Sequence, residues 1–167
     1  MTSPEPKLDE AAAALVEAGA RFVVIGGFAV IANRFVRATE DVDFLVPDDR
    51  GNDRRVLAGL RDLDAVRLRD EEPLREEYLL GQTNLRVISS AGIIEILRGG
   101  PPPLDFDTVA REAMEADYDG LVFPVAGLRS IVGFKRLAGR PRDRNDLIGL
   151  GEIHGELPID PIPGLDS

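Results

Sequence analysis

Cysteine and tryptophan are absent from the 167 residues, and histidine occurs once, at His154. The missing thiols exclude disulfides, thiolate metal sites and cysteine nucleophiles together, and fit a reducing compartment. A single imidazole makes a zinc site or a histidine-based triad hard to build. His154 itself reads as a surface residue after the last helix. Long apolar runs are missing as well, since no segment approaches the ~20 residues that span a bilayer. The N-terminal MTSPEPKLDE has neither a basic nor an apolar leader region, and a cytoplasmic protein with no membrane contact is expected.

Positive charge is in the minority: 20 Lys and Arg against 30 Asp and Glu give a formal net charge of −10. Such a chain repels polyanions at long range, which argues against a large non-specific nucleic-acid surface. The cations that do occur are bunched, as Arg34 and Arg37 and again as Lys135, Arg136, Arg140, Arg142 and Arg144, so local basic patches remain open. With 44% hydrophobic residues the chain can fill one core, and a single domain over residues 1–155 with a proline-rich tail over 156–167 is expected. Pro158, Pro161 and Pro163 make that tail a terminus that is mobile or ordered on contact.

The spacing predicts a helix over Leu8 to Ala18, rich in Ala, Leu and Glu and stopped by Gly19. Phe22 to Ile25 is a β-branched and aromatic run that predicts a buried strand; it stops at Gly26-Gly27, with a helix from Phe28 to Asn33. Asp41 to Val46 reads as a strand closed by Pro47, and Asn52 to Leu63 as a helix with Val56, Leu57, Leu60 and Leu63 on one stripe. Leu68 to Gly81 is charged and poorly periodic, and no element is assigned there. Asn84 to Ser89 and Gly92 to Leu97 read as two strands turned at Ser90-Ala91, before the rigid break Gly99 to Pro103. Thr108 to Ala116 is expected to be a helix, and Asp119-Gly120 a tight hairpin. The helices Leu128 to Ala138 and Arg142 to Leu150, the second opened by Pro141 and ended by Gly151, close the chain. Together these predict an α+β fold, a mixed β-sheet flanked by helices with a short C-terminal helix pair.

Four features carry chemistry. Gly26 and Gly27, between strand and helix, let backbone approach a ligand and offer helix N–H groups to a phosphate; alone, they are as well explained by a tight turn. Asp41 and Asp43, one residue apart on a strand, hold two carboxylates on one face, a pair suited to Mg²⁺ or else an ordinary surface pair. Glu95, alone in an apolar strand, either meets those acids or faces water from a sheet edge. A meeting of all three could hold two metal ions about 3.5–4 Å apart. Lys135, with Arg140 or Arg142, can steady a triphosphate or merely complement a helix terminus, and Asp143 and Asp146 share a face from which to fix Lys135 or Arg140. Arg37 and Thr39 are candidates for nucleotide phosphate or sugar, or part of a polar loop.

The stretch from Val24 through Gly26-Gly27 to Asp41-Val42-Asp43-Phe44 resembles the signature of the DNA polymerase β-like nucleotidyltransferases. The stretch Lys135 to Leu147 is similar to the closing motif of their AbiEii-like, toxin–antitoxin branch. The resemblance implies a nucleotidyltransferase fold and transfer of a nucleoside monophosphate from an NTP to a hydroxyl. By it, Gly26 and Gly27 bind the triphosphate, Asp41 and Asp43 ligate Mg²⁺, and Lys135 with Asp143 completes the nucleotide site. Read together, the residues give Asp41, Asp43, Glu95 and Lys135 as catalytic, with Arg37, Thr39 and Arg140 added to the nucleotide contacts. The acids Asp41, Asp43 and Glu95 would hold two Mg²⁺ ions, with Mn²⁺ as the substitute. The branch implies an RNA acceptor such as tRNA and a cognate antitoxin protein; a small antibiotic, a protein acceptor, or a non-catalytic nucleotide- or partner-binding role are the alternatives. Two positions depart from the family pattern, Gly27 where Ser is common and Glu95 where Asp is usual.

Overall fold

In a computed structural model, which describes residues 4–166, Asp41–Val46 is the middle strand, β2, of a seven-stranded sheet. The sheet runs β3 (Val66–Arg67), β4 (Asn84–Ser89), β5 (Gly92–Arg98), β2, β1 (Val23–Ile25), β7 (Leu121–Val125), β6 (Met114–Tyr118). Pairing is parallel between β2 and β5 and between β1 and β7, and antiparallel elsewhere. Val42, Phe44, Ile94 and Ile96 are fully buried, because alternate residues of two adjacent strands enter the same core.

Helices α1 (Leu8–Glu17) and α3 (Arg50–Asp62) pack on each other and share that core. Gly59 permits the close crossing, since a Cβ there would lie 2.9 Å from the carbonyl oxygen of Ala14. Asp49 caps α3 by accepting from the Asn52 N–H at 3.1 Å, so the helix starts two residues before the expected Asn52. Asn52, fully buried, accepts from the Arg21 N–H at 2.7 Å and donates to the Arg21 carbonyl at 3.0 Å, fixing the entry to β1. Beyond it, buried Asp53 receives Arg98 of β5 in a forked pair, Nε to Oδ1 at 3.0 Å and Nη2 to Oδ2 at 2.9 Å.

Three expectations are corrected. The helix expected over Thr108 to Ala116 is short, α4 (Phe106–Arg111), opened by Asp105, whose Oδ1 accepts from the Thr108 hydroxyl at 2.9 Å. Met114–Tyr118 is instead strand β6, because the Asp119-Gly120 turn pairs it with β7 and ladder bonds override local helix preference. The last helix, α6 (Pro141–His154), runs through Gly151 and ends at Gly155. His154 therefore lies in its final turn, not beyond it, and is half-buried, donating from Nε2 to the Asn33 carbonyl at 2.7 Å. The unassigned Leu68 to Gly81 segment follows the short β3 and contains a 3-10 turn at Glu76–Tyr78.

Helix α2 (Gly26–Ala32) begins at the glycines themselves, not at Phe28, and α5 (Leu128–Ala138) runs as expected, ended by Gly139. Along the expected tail, Ile162 is buried, Asp160 pairs with Arg129 and Asp166 with Arg136. Residues 1–3 of the expected domain and Ser167 of the tail lie outside the described residues. Among the described residues no helix is long and apolar enough to cross a membrane.

Removing one partner of the buried Asp53–Arg98 pair strands a charge, so Asp53→Ala is expected to cost about 3–5 kcal/mol in urea unfolding. Asp48→Ala, which removes an exposed carboxylate 2.7 Å from the same Arg98, should change stability far less. Equal effects of the two substitutions would show that the buried fork does not hold α3 to β5.

Candidate active site

Residues two apart on a strand face the same way, so β2 turns Asp41 and Asp43 to one side of the sheet while Val42 and Phe44 enter the core. The parallel register sets Asp43 opposite Glu95 on β5. Ligand oxygens of Asp41, Asp43 and Glu95 consequently lie within 4.8 Å of one another, on side chains that are all half-buried. Glu95 is on an interior strand, between β4 and β2, and the reading of it as an edge residue is set aside.

Burial, then the charges of Asp41 and Glu95, push the Asp43 carboxyl up to about 8; a hydrogen bond with Asp41 adds to the rise and Lys135 opposes it. Three mutually repelling carboxylates in a half-buried setting form an all-oxygen donor set whose repulsion a hard divalent cation would relieve. The residues present therefore fit Mg²⁺, and Mn²⁺ accepts the same donors.

Gly26 has φ +69°, and a Cβ on it would overlap the Asp43 carboxylate. Glycine is required there by backbone conformation and by the approach of the acid together. Gly27 is buried, and a Cβ on it would overlap the Thr39 hydroxyl. The space that a serine side chain would use is thus filled by Thr39, whose Oγ1 donates to the Asp41 carbonyl at 3.3 Å.

From the other side, α5 and α6 supply a basic network. Lys135, 7% exposed, lies 3.1 Å from Asp143 and 3.0 Å from Asp146. Arg140 donates from Nε to Asp143 Oδ2 at 2.6 Å, and the Arg140 backbone N–H donates to the same oxygen at 3.1 Å, closing the start of α6. Arg37 reaches across the site to fork onto Asp146, at 2.6 and 2.9 Å. Burial raises the proton affinity of Asp143, but the hydrogen bonds from Arg140 and Lys135 outweigh it and hold the carboxyl down at about 2. The bond to Asp143 in turn raises Arg140 further above its ordinary range.

A cavity of about 570 Å³ joins the two halves. Of the residues singled out from sequence, Gly26, Arg37, Thr39, Asp41, Asp43, Glu95, Lys135, Arg140, Arg142, Asp143 and Asp146 line it; Gly27 does not. Sequence reading missed Phe35 and Phe134, which give the cavity an apolar wall. Phe35 fits because Gly149 on α6 has no Cβ to overlap it. It also missed Arg86 on β4, paired across the strands with Glu95, whose guanidinium lies 3.6 Å from Glu95 and 3.8 Å from Asp41.

No protein-family model matches the chain, and no curated protein matches it in sequence. Solved structures do. The chain is similar to ANT(2'')-Ia in complex with adenylyl-2''-tobramycin, with 14% identity over 89% of this chain and 87% of that one and a TM-score of 0.60. A solution structure of the same antibiotic-resistance factor superposes with a TM-score of 0.61 at 13% identity, over 89% and 82% of the two chains. An antigenic nucleotidyltransferase-like protein from Paracoccidioides brasiliensis gives 0.57 at 15% identity, over 91% and 79%. The chain has the nucleotidyltransferase fold.

Within that nucleotidyltransferase fold the acids set a sign for pH. Asp43 holds its proton up to about 8 in the folded chain, against an ordinary 3.8. The folded state binds the extra proton across that window, so metal-free protein loses stability as pH rises from about 4 to about 8. Asp143 works oppositely: its contribution is present above 3.8 and is lost as pH falls towards about 2. Calorimetry in EDTA should show a Tm that falls between pH 6 and pH 8 in the wild type and stays flatter in Asp43→Asn, with Mg²⁺ raising only the wild-type Tm. A parallel fall in both proteins, or no response to Mg²⁺, would count against the acid cluster as a cation site.

Proposed function

We propose that this chain is a metal-dependent nucleotidyltransferase that moves a nucleoside monophosphate from an NTP to a hydroxyl and releases pyrophosphate. One observation carries this reading: Asp41, Asp43 and Glu95 converge to within 4.8 Å of one another beside a cavity with a basic wall. In this reading Asp41, Asp43 and Glu95 would hold two Mg²⁺ ions, which would supply Lewis acidity for phosphoryl transfer.

The chain's own residues divide the remaining tasks. Gly26, on the cavity wall, brings the start of α2 towards the phosphates; Gly27, expected to share that role, is buried behind Thr39, which offers the hydroxyl in its place. Lys135 supplies a compact buried charge, fixed by Asp143 and Asp146. Arg140, half exposed, keeps donors free of its Asp143 bond for phosphate oxygens. Arg37 closes the cavity from the other side, and Phe35 and Phe134 receive the base. The acceptor oxygen forms a bond to the α-phosphorus as the bond from that phosphorus to the bridging oxygen breaks. The hydroxyl proton passes to a Glu95 carboxylate oxygen, and the electron pair of the broken bond leaves with pyrophosphate.

RNA, such as tRNA, in a toxin–antitoxin setting with a cognate antitoxin is the acceptor class that the motif at Lys135 to Leu147 supports. A second reading, transfer to a small hydroxylated antibiotic, is supported by the likeness to ANT(2'')-Ia. A non-catalytic relative is disfavoured because Glu95, despite its extra methylene, reaches the other acids.

Incubation with each labelled NTP, Mg²⁺ and either total tRNA or tobramycin is expected to label one acceptor. Asp43→Ala should lower the rate by about 10³-fold, the scale of several kcal/mol of lost charge stabilisation. Label on neither acceptor, or transfer that survives Asp43→Ala, would falsify the activity.

A further inference from the structure

The three acids are approached by cations from two sides, and the two sides are built differently. Lys135 and Arg140 are held by carboxylates of α6, Lys135 at 3.1 and 3.0 Å from Asp143 and Asp146, and Arg140 at 2.6 Å from Asp143. Arg86, set across from Glu95 by the antiparallel register of β4 and β5, has no such anchor. Its guanidinium lies 3.6 Å from Glu95 and 3.8 Å from Asp41, beyond the ~2.7–3.2 Å of a hydrogen bond. Among the described residues it pairs with no other carboxylate. Its side chain is 48% exposed, whereas that of Arg98, forked onto Asp53, is 7% exposed. Arg86 therefore offsets the charge of the cluster by proximity alone, and few contacts are lost when it moves. A second cavity, of about 490 Å³, gives it somewhere to go. Arg86 walls that cavity together with residues of β3, β4 and the segment between them, and no residue of β2 or β5 does. In the strand order β3-β4-β5-β2 the cavity thus lies on the far side of Arg86 from the acids. Glu77, Gln82 and Asn84 on its wall carry oxygens that accept from a guanidinium.

We propose that Arg86 is a displaceable counter-ion of the acid cluster, which stands in for a divalent cation before one is bound and withdraws into the β3–β4 cavity when one binds. The guanidinium and the cation compete for the same two carboxylates, because like charges a few Å apart in a half-buried site repel. A single charge spread over three nitrogens and making no hydrogen bond yields to two charges on one ion in direct contact with carboxylate oxygens. Lys135 and Arg140 cannot take this part, since moving either one breaks its ion pairs with α6. Arg86 consequently sets how much free cation fills the cluster: the acids stay partly neutralised without metal, and bind it less tightly than they would with no guanidinium beside them. It is a positioning residue, acting on the cation through Asp41 and Glu95.

The proposal rests on the acid cluster being a cation site and not on transfer. Titration of the full chain with Mn²⁺ alone, followed by the EPR signal of the free ion, measures binding without nucleotide or turnover. Arg86→Gln is expected to bind Mn²⁺ about tenfold more tightly than wild type, and Arg86→Lys, which keeps the charge, to stay within about twofold of it. Arg69→Gln removes a charge from the same cavity wall but not from beside the acids, and should leave the affinity unchanged. Asp43→Asn added to Arg86→Gln should abolish the gain, and circular dichroism melts check that every variant is folded. Unchanged or weaker binding in Arg86→Gln, or an equal gain in Arg69→Gln, overturns the counter-ion role and leaves the cation site standing. No Mn²⁺ bound by wild type or by either Arg86 variant overturns the role and the cation site together. Tighter binding by Arg86→Gln with no transfer from any NTP supports the role and overturns the activity reading alone.

Discussion

Electrostatic repulsion among Asp41, Asp43 and Glu95 is the constraint on which the rest of the structure depends. The parallel register of β2 and β5 leaves these side chains no freedom to separate, since both strands lie inside the sheet. Burial first, and then that enforced proximity, push the Asp43 carboxyl up to about 8. Proteins keep such groupings where function needs them and offset the cost elsewhere. Here the offsets are visible: the charge of Lys135 lowers the proton affinity of Asp43, Arg86 approaches Asp41 and Glu95, and Gly26 leaves the Asp43 carboxylate room.

The basic side of the site is arranged on the opposite principle. Arg37, Lys135 and Arg140 are each bound to Asp143 or Asp146, so three cations are shared between two carboxylates with one positive charge left over. Such pairing fixes long side chains in one geometry before any ligand arrives, which removes most of the ordering cost from binding. It also explains why Asp143 and Asp146 can be buried while charged. The two C-terminal helices are joined at this network: Lys135 comes from α5, and both carboxylates from α6. Stability of the helix pair and readiness of the site are thus the same set of contacts.

Much of this was legible from residue order. A two-residue period put Asp41 and Asp43 on one face, a lone acid in an apolar run singled out Glu95, and a one-turn spacing tied Asp143 and Asp146 to Lys135. What sequence could not supply was the parallel pairing of β2 with β5, because residues 47–91 lie between the two strands and no local signal encodes it; Asp43 opposite Glu95 is a tertiary fact. Arg86 was recoverable: a turn at Ser90-Ala91 pairs Ser89 with Gly92, and counting back sets Arg86 against Glu95. The helix expected over Thr108 to Ala116 failed for a related reason, in that the Asp119-Gly120 turn already implied a strand on its N-terminal side. The segment after β3 was opaque because its arginines and Tyr78 serve a stacked, ion-paired surface with no helical or strand period.

An acidic protein with arginine on both flanks of an acid cluster has a field that changes sign over a short distance. At physiological ionic strength charges are screened beyond about 8 Å, so an approaching anion senses the nearby patch more than the distant net charge. The carboxylates are thus faced by cations from two sides, by Lys135 and Arg140 of the C-terminal helix pair and by Arg86 of β4. The same carboxylates are the groups a divalent cation would neutralise. Such a cation would do more than relieve repulsion: it would remove the negative charge that separates Lys135 and Arg140 on one side from Arg86 on the other.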